Sequence, residues 1–166
     1  MKFRVGLGYD VHAFANQDSE CRLVLGGVTI NYIGLVGHSD ADAVAHAVCD
    51  ALLGATGLGD LGSLFPASDE RYRDVNSMEL LIDVVQRVAA TGWTVANVNI
   101  VIGAERPRLA AHIDAMVVNL RDVLTPLAVD DDGVFVSVQP KRGEGIGSIG
   151  RGEGIEVRAV TLLQRQ

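Results

Sequence analysis

The sequence predicts an α+β fold, a mixed β-sheet with helices packed on one face plus a separate β-hairpin. Three observations predict it. The apolar segments change period along the chain and read β, β, α, α, β, α, β, β. Hydrophobic residues make up 48% of the chain and aromatics only 5%, so a core must be built from Val, Leu, Ile and Ala. No linker or shift of composition divides the 166 residues, so 1–166 is expected to be one domain.

Residues 3–9 have strand character and run into Asp10, Val11 and His12. Residues 22–25 and 28–30 flank Gly26-Gly27 and read as a hairpin. Ser39, three residues before Asp42, has the spacing of a helix N-cap. Ala43, Val44, Ala47, Val48, Ala51 and Leu52 then recur at helical spacing, and Gly57 and Gly59 stop the helix. Residues 60–74, with Pro66, read as an irregular loop. A second helix opens at Asn76 or Ser77, buries Leu80, Leu81, Val84, Val85 and Val88, and ends at Gly92. Residues 94–102 form a strand. A third helix is expected from near Pro107, with Leu109, Ile113, Met116, Val117, Leu120 and Leu124 on its apolar side. Residues 134–138 form a strand, 143–154 a glycine-dense loop, and 155–163 the closing strand. The pentad RGEGI occurs at 142–146 and again at 151–155, a period too short for a repeat architecture.

The formal charge of -7 argues against a nucleic-acid partner, which needs a basic footprint. Basic residues still gather at Arg106, Arg108, Lys141, Arg142 and Arg151, so a phosphate-bearing small molecule remains open. Cys21 and Cys49 form no metal-binding or redox spacing and read as two buried or inert thiols. No signal peptide and no apolar run of about 18 residues is present. The expectation is a soluble cytoplasmic protein with no membrane partner.

Asp10 and His12 are two apart in an extended segment, so their side chains point the same way. With His46 from the first helix, they offer one oxygen and two nitrogens to one point. Three protein ligands with an open position is the catalytic zinc arrangement; a hydrogen-bonded surface pair is the plainer alternative. His38 and Ser39 precede a helix start, where free N–H groups favour a phosphate. Asp42 and Asp50 lie four residues either side of His46, and either could orient its imidazole. Glu144, among Lys141, Arg142 and Arg151, could hold a hard cation with substrate phosphates, or be a solvated charge. GLGDLG at 57–62 and GIGSIG at 145–150 match G-x-G-x-x-G, but neither joins a strand to a helix, so neither is a dinucleotide site.

Several segments together resemble the 2-C-methyl-D-erythritol 2,4-cyclodiphosphate synthase family. These are GYDVHAF at 8–14, GGV at 26–28, HSDADAVAH at 38–46, DALLG at 50–54, GDLG at 59–62, LFP at 64–66 and GRGEGI at 150–155. The resemblance spans nearly the whole chain. It implies that Asp10, His12 and His46 hold one Zn²⁺ per site and that Glu144 holds a second divalent cation, Mg²⁺ or Mn²⁺. It implies that His38 and Arg142 act in catalysis. Asp10, His12, His38, Ser39, Asp60, Gly62, Phe65, Asp69, Arg142 and Arg151 would contact substrate. Ala104, Arg108, Leu109, Ala110 and Lys141 would contact the cytidine nucleotide.

The resemblance also implies a homotrimer with active sites between subunits. The implied reaction converts 4-diphosphocytidyl-2-C-methyl-D-erythritol 2-phosphate into the 2,4-cyclodiphosphate with release of CMP, in the non-mevalonate isoprenoid route. A non-catalytic trimeric binder of a nucleotide or prenyl diphosphate and a zinc phosphoester hydrolase are the competing readings. The chain departs from the family pattern where Lys141 and Arg142 replace a Thr-Thr pair. Arg108 replaces a lysine, Ser148 a phenylalanine and Ala67 an aspartate.

Overall fold

The computed structural model describes residues 1–16 and 19–165. The main sheet has four strands: β1 (Lys2–Ala13), β4 (Thr94–Gly103), β5 (Phe135–Lys141) and β6 (Gly154–Arg165), once β2 (Arg22–Leu25) and β3 (Val28–Ile33) are set apart as a hairpin. Its order is β1-β6-β4-β5. The β4–β5 pair is parallel and the other two pairs are antiparallel, so the sheet is mixed, as expected. Gly26 and Gly27 turn the hairpin with φ of 57° and 71°, which glycine adopts without strain.

Helix α1 (Ala43–Thr56) is buried nearly all round, because it lies against β1, β6 and α3 (Ser77–Ala90) at once. The packing on β1 is backbone against backbone. A Cβ on Gly6 would lie 1.8 Å from the Ala51 carbonyl oxygen, and one on Gly8 1.8 Å from that of Ala47. Glycine on the strand facing alanine on the helix is what permits this approach. The period of two then puts Asp10 and His12 on the same side as Gly6 and Gly8, toward α1. Helix α4 (Ile113–Leu124) completes the layer, burying Met116, Leu120 and Leu124. The opposite side of the sheet is open: Phe3, Val5, Leu7, Tyr9 and Val11 of β1, Val160 of β6 and Phe135 of β5 are exposed.

Several boundaries differ from expectation. Strand β1 continues through Asp10 and His12 to Ala13, since β6 pairs with it that far. Helix α4 begins at Ile113, after a 3₁₀ turn at Ala110–His112; Pro107 stands in the preceding crossover, whose residues wall a cavity. The 60–74 segment contains the single turn α2 (Leu61–Leu64), capped by Asp60, and a 3₁₀ turn at Glu70–Tyr72. The glycine-dense loop folds one turn, α5 (Gly147–Gly150). The helix cap of α1 is Asp42 rather than Ser39. Its fully buried carboxylate accepts the N–H groups of Val44 and Ala45, and also those of Gly26 and Gly27 in the hairpin turn. Cys49 is buried as expected, but Cys21 is exposed, and the two are not bridged.

Candidate metal centre and nucleotide cavity

Asp10, His12 and His46 converge as expected. Asp10 Oδ2 is 3.0 Å from His12 Nε2 and 2.9 Å from His46 Nδ1. Among the described residues, these three form the group whose ligand atoms lie close enough together to hold a metal ion, all within 4.8 Å of one another. The far nitrogen of each imidazole is engaged. His12 Nδ1 donates to the Val36 carbonyl at 2.7 Å. His46 Nε2 lies 2.9 Å from Ser77 Oγ and 3.2 Å from Ser39 Oγ. Burial alone would raise the Asp10 pKa, but the hydrogen bonds of His12 and His46 outweigh it and hold the carboxyl well below the usual carboxylate range. The His12 pKa is raised, chiefly by its bond to Asp10. An oxygen-plus-two-nitrogen donor set of this kind suits zinc.

Neither aspartate expected to orient His46 does so. Asp42 is committed to the helix cap and hairpin turn. Asp50 accepts the N–H of Leu61 at 2.8 Å and ties the end of α1 to α2. The residues that reach His46 are Ser39 and Ser77, and behind Ser77 stands Asp40. Ser77 and Asp40 were missed from sequence because Ser77 reads as an ordinary first-turn polar residue beside the Asn76 cap. Its complete burial is the missing signal.

The triad opens on a cavity of about 270 Å³, also lined by His38, Ser39, Leu61, Gly62 and Phe65. His38 does not cap α1. It sits in the bend before Asp42, its Nε2 3.4 Å from the Asp69 carbonyl, and its own carbonyl accepts the Asp74 N–H at 2.8 Å. Asp60 and Asp69 lie outside the lining. Asp60 accepts from Ser63, and Asp69 pairs with Arg71 at 2.6 Å.

The residues expected to meet a nucleotide form a second cavity of about 300 Å³, walled by Ala104, Arg108, Leu109, Ala110, Lys141 and Arg142. It shares no lining residue with the first. Arg142 pairs with Glu105, whose other oxygen accepts the Glu144 N–H at 3.1 Å. Glu144 is thus held beside this cavity, apart from the histidine triad, in the left-handed region at φ 50°. Arg151 is exposed and pairs with Glu153 at 2.6 Å; it lines neither cavity.

Fold and site define a small α+β protein in which one strand and one helix assemble an Asp-His-His group able to hold a metal ion. The family model of the YgbB family matches residues 3–164, and the chain belongs to that family. It is 50% identical to the 2-C-methyl-D-erythritol 2,4-cyclodiphosphate synthase of Rubrobacter xylanophilus, over 98% of this chain and 96% of that protein. It is 48% identical to the synthase of the same name from Syntrophomonas wolfei, over 98% and 99%. The structure of a CDP complex of IspF from Plasmodium falciparum aligns with a TM-score of 0.82 at 33% identity, over 99% of this chain and 97% of that one. The bifunctional IspDF of Campylobacter jejuni aligns with a TM-score of 0.89 at 36% identity; this chain spans 43% of that longer protein.

Proposed function

We propose that this protein is a zinc-dependent 2-C-methyl-D-erythritol 2,4-cyclodiphosphate synthase of the non-mevalonate isoprenoid route, a phosphorus-oxygen lyase acting in the cytoplasm. The observation that carries the reading is the Asp10–His12–His46 triad, in a family whose relatives bear that name at up to 50% identity over nearly the full chain. The 2-phosphate of 4-diphosphocytidyl-2-C-methyl-D-erythritol 2-phosphate forms a bond to the β-phosphorus, and the bond from that phosphorus to CMP breaks. Both reacting groups belong to one molecule, so holding the ends together supplies most of the catalysis.

Asp10, His12 and His46 would hold the zinc, which when bound supplies Lewis-acid charge at a phosphate oxygen. His38 and Ser39 face the same cavity and can donate hydrogen bonds to phosphate. Gly62 and Phe65 bound the space for the methylerythritol, with Asp60 and Asp69 at its margin. Ala104, Arg108, Leu109, Ala110 and Lys141 bound the nucleotide. Arg142, Arg151 and a second cation on Glu144, Mg²⁺ or Mn²⁺, offset diphosphate charge.

One chain keeps the zinc cavity and the nucleotide cavity apart. The apolar open face of the sheet favours assembly with further copies, and a homotrimer with sites between subunits would join the two cavities. Phosphorus NMR of the purified protein with the cytidine substrate tests the reading. CMP and the cyclic diphosphate should rise together. A linear phosphate product would make it a hydrolase, and tight binding without turnover would make it a binder.

A further inference from the structure

The far side of His46 carries an ordered chain of hydrogen bonds that ends on a carboxylate. Asp40 Oδ1 receives the hydroxyl of Ser77, and Asp40 Oδ2 the N–H of Ser77 at 3.2 Å. A carboxylate has no proton to give, so the single hydroxyl proton of Ser77 points at Asp40. Ser77 Oγ is then an acceptor toward its other neighbours. One is His46 Nε2 at 2.9 Å, whose N–H it can accept. The other is Ser39 Oγ at 3.1 Å, which accepts the Ala41 N–H at 3.2 Å and lies 3.2 Å from His46 Nε2 as well. An imidazole that gives its Nε2–H to Ser77 turns Nδ1 toward the triad, and Nδ1 is the atom 2.9 Å from Asp10 Oδ2.

We infer that Ser77 and Asp40 are positioning residues for the metal centre: they grip Nε2 of His46 and hold the imidazole so that Nδ1 would be the atom that meets the metal. The inference rests on the metal reading proposed above. It assigns the orienting role to a serine relayed by a carboxylate, where His12 uses the Val36 carbonyl directly. Geometry supports the lock. Ser77 is fully buried at the start of α3. The bend carrying Asp40 is zipped to the α3 entry by Asp40 N to Val75 O at 3.1 Å and Asp74 N to His38 O at 2.8 Å. The relay cannot turn away from His46 without opening that seam.

Two measurements test it, and neither reads turnover. In zinc-loaded wild-type protein, the ¹⁵N shifts of His46 should show Nδ1 as the metal-bound nitrogen and Nε2 carrying the proton. Metal on Nε2 would overturn the inference. In Ser77→Ala, which keeps size and the Asn76 cap, zinc affinity by chelator competition should fall roughly 10–100-fold. Asp40→Asn, which leaves a neutral acceptor, should lose less. Wild-type zinc affinity in folded Ser77→Ala would overturn the role. His12→Ala run alongside separates the two failures. If it too keeps zinc, the metal centre itself is wrong; if it alone loses zinc, only the relay is.

Discussion

Nδ1 of His46 stands 2.9 Å from Oδ2 of Asp10, so the first helix and the first strand meet at one carboxylate oxygen. That meeting depends on how closely β1 lies on α1, and Gly8 sets the spacing two residues before Asp10. A Cβ there would need 1.8 Å from the Ala47 carbonyl oxygen. Gly8→Ala should therefore cost at least the about 1–3 kcal/mol typical of overpacking. It should also abolish tight zinc binding in whatever remains folded. Urea denaturation and zinc titration on the same sample check both parts.

His12→Ala should behave differently. It removes one donor and leaves the strand backbone and core untouched, since His12 is only half-buried at the sheet end. The variant should keep wild-type circular dichroism and assembly state, and lose zinc and CMP release together.

The charge pattern of the triad fixes a pH dependence. The folded-state pKa of His12 is raised, so its contribution is full below the ordinary imidazole value and disappears as pH climbs through the raised value. The folded-state pKa of Asp10 is lowered, so its contribution is present above the ordinary carboxylate value and disappears as pH falls toward the lowered one. Metal-free protein should then gain most from this cluster between those two values, and lose stability on the alkaline side. Zinc-loaded protein should not show that alkaline loss, and zinc uptake should release protons. Melting temperature against pH, with and without chelator, checks the sign.

Asp42→Ala should separate stability from metal binding. The side chain caps α1, worth about 0.5–2 kcal/mol. It also satisfies the buried Gly26 N–H, which costs about 1–3 kcal/mol if left without a partner, and the more exposed Gly27 N–H. A loss of roughly 1.5–5 kcal/mol in chemical denaturation is expected. Zinc affinity of the folded fraction should be unchanged, because the Asp42 side chain makes no hydrogen bond to the His46 imidazole.

The open sheet face gives a fifth outcome. Leu7 and Val5 are 65% and 68% exposed on β1, and the proposed trimer would cover them. Sedimentation of the wild type should give three chains per particle. Leu7→Asp should give monomers that still bind zinc, since the triad lies within one chain, but do not release CMP.

The fold was legible wherever one period dominated. The stripes of α1 and α3, the hairpin at Gly26-Gly27 and the mixed sheet follow from spacing and turn chemistry. The α4 start was misplaced because Pro107 suits a first helical turn but does not demand one. Asp10, His12 and His46 were legible because a strand's period of two and one specific helical segment are both local signals. The partners of His46 were not. Ser77 approaches from 31 residues away, and only tertiary packing brings it there. Asp42 and Asp50 had helical spacing from His46, yet the cap and the α1–α2 tie claimed their oxygens first. Lys141 and Arg142 stood out as departures, but the Glu105 carboxylate that engages Arg142 comes from the segment just after β4.

Metal analysis joined to single-batch reconstitution tests the central claim most directly. Protein stripped with chelator should release no CMP from the cytidine substrate in the presence of Mg²⁺ alone. Adding zinc to one equivalent per chain should restore CMP and cyclic diphosphate in step with occupancy. Full CMP release from protein with no measurable zinc would contradict the account.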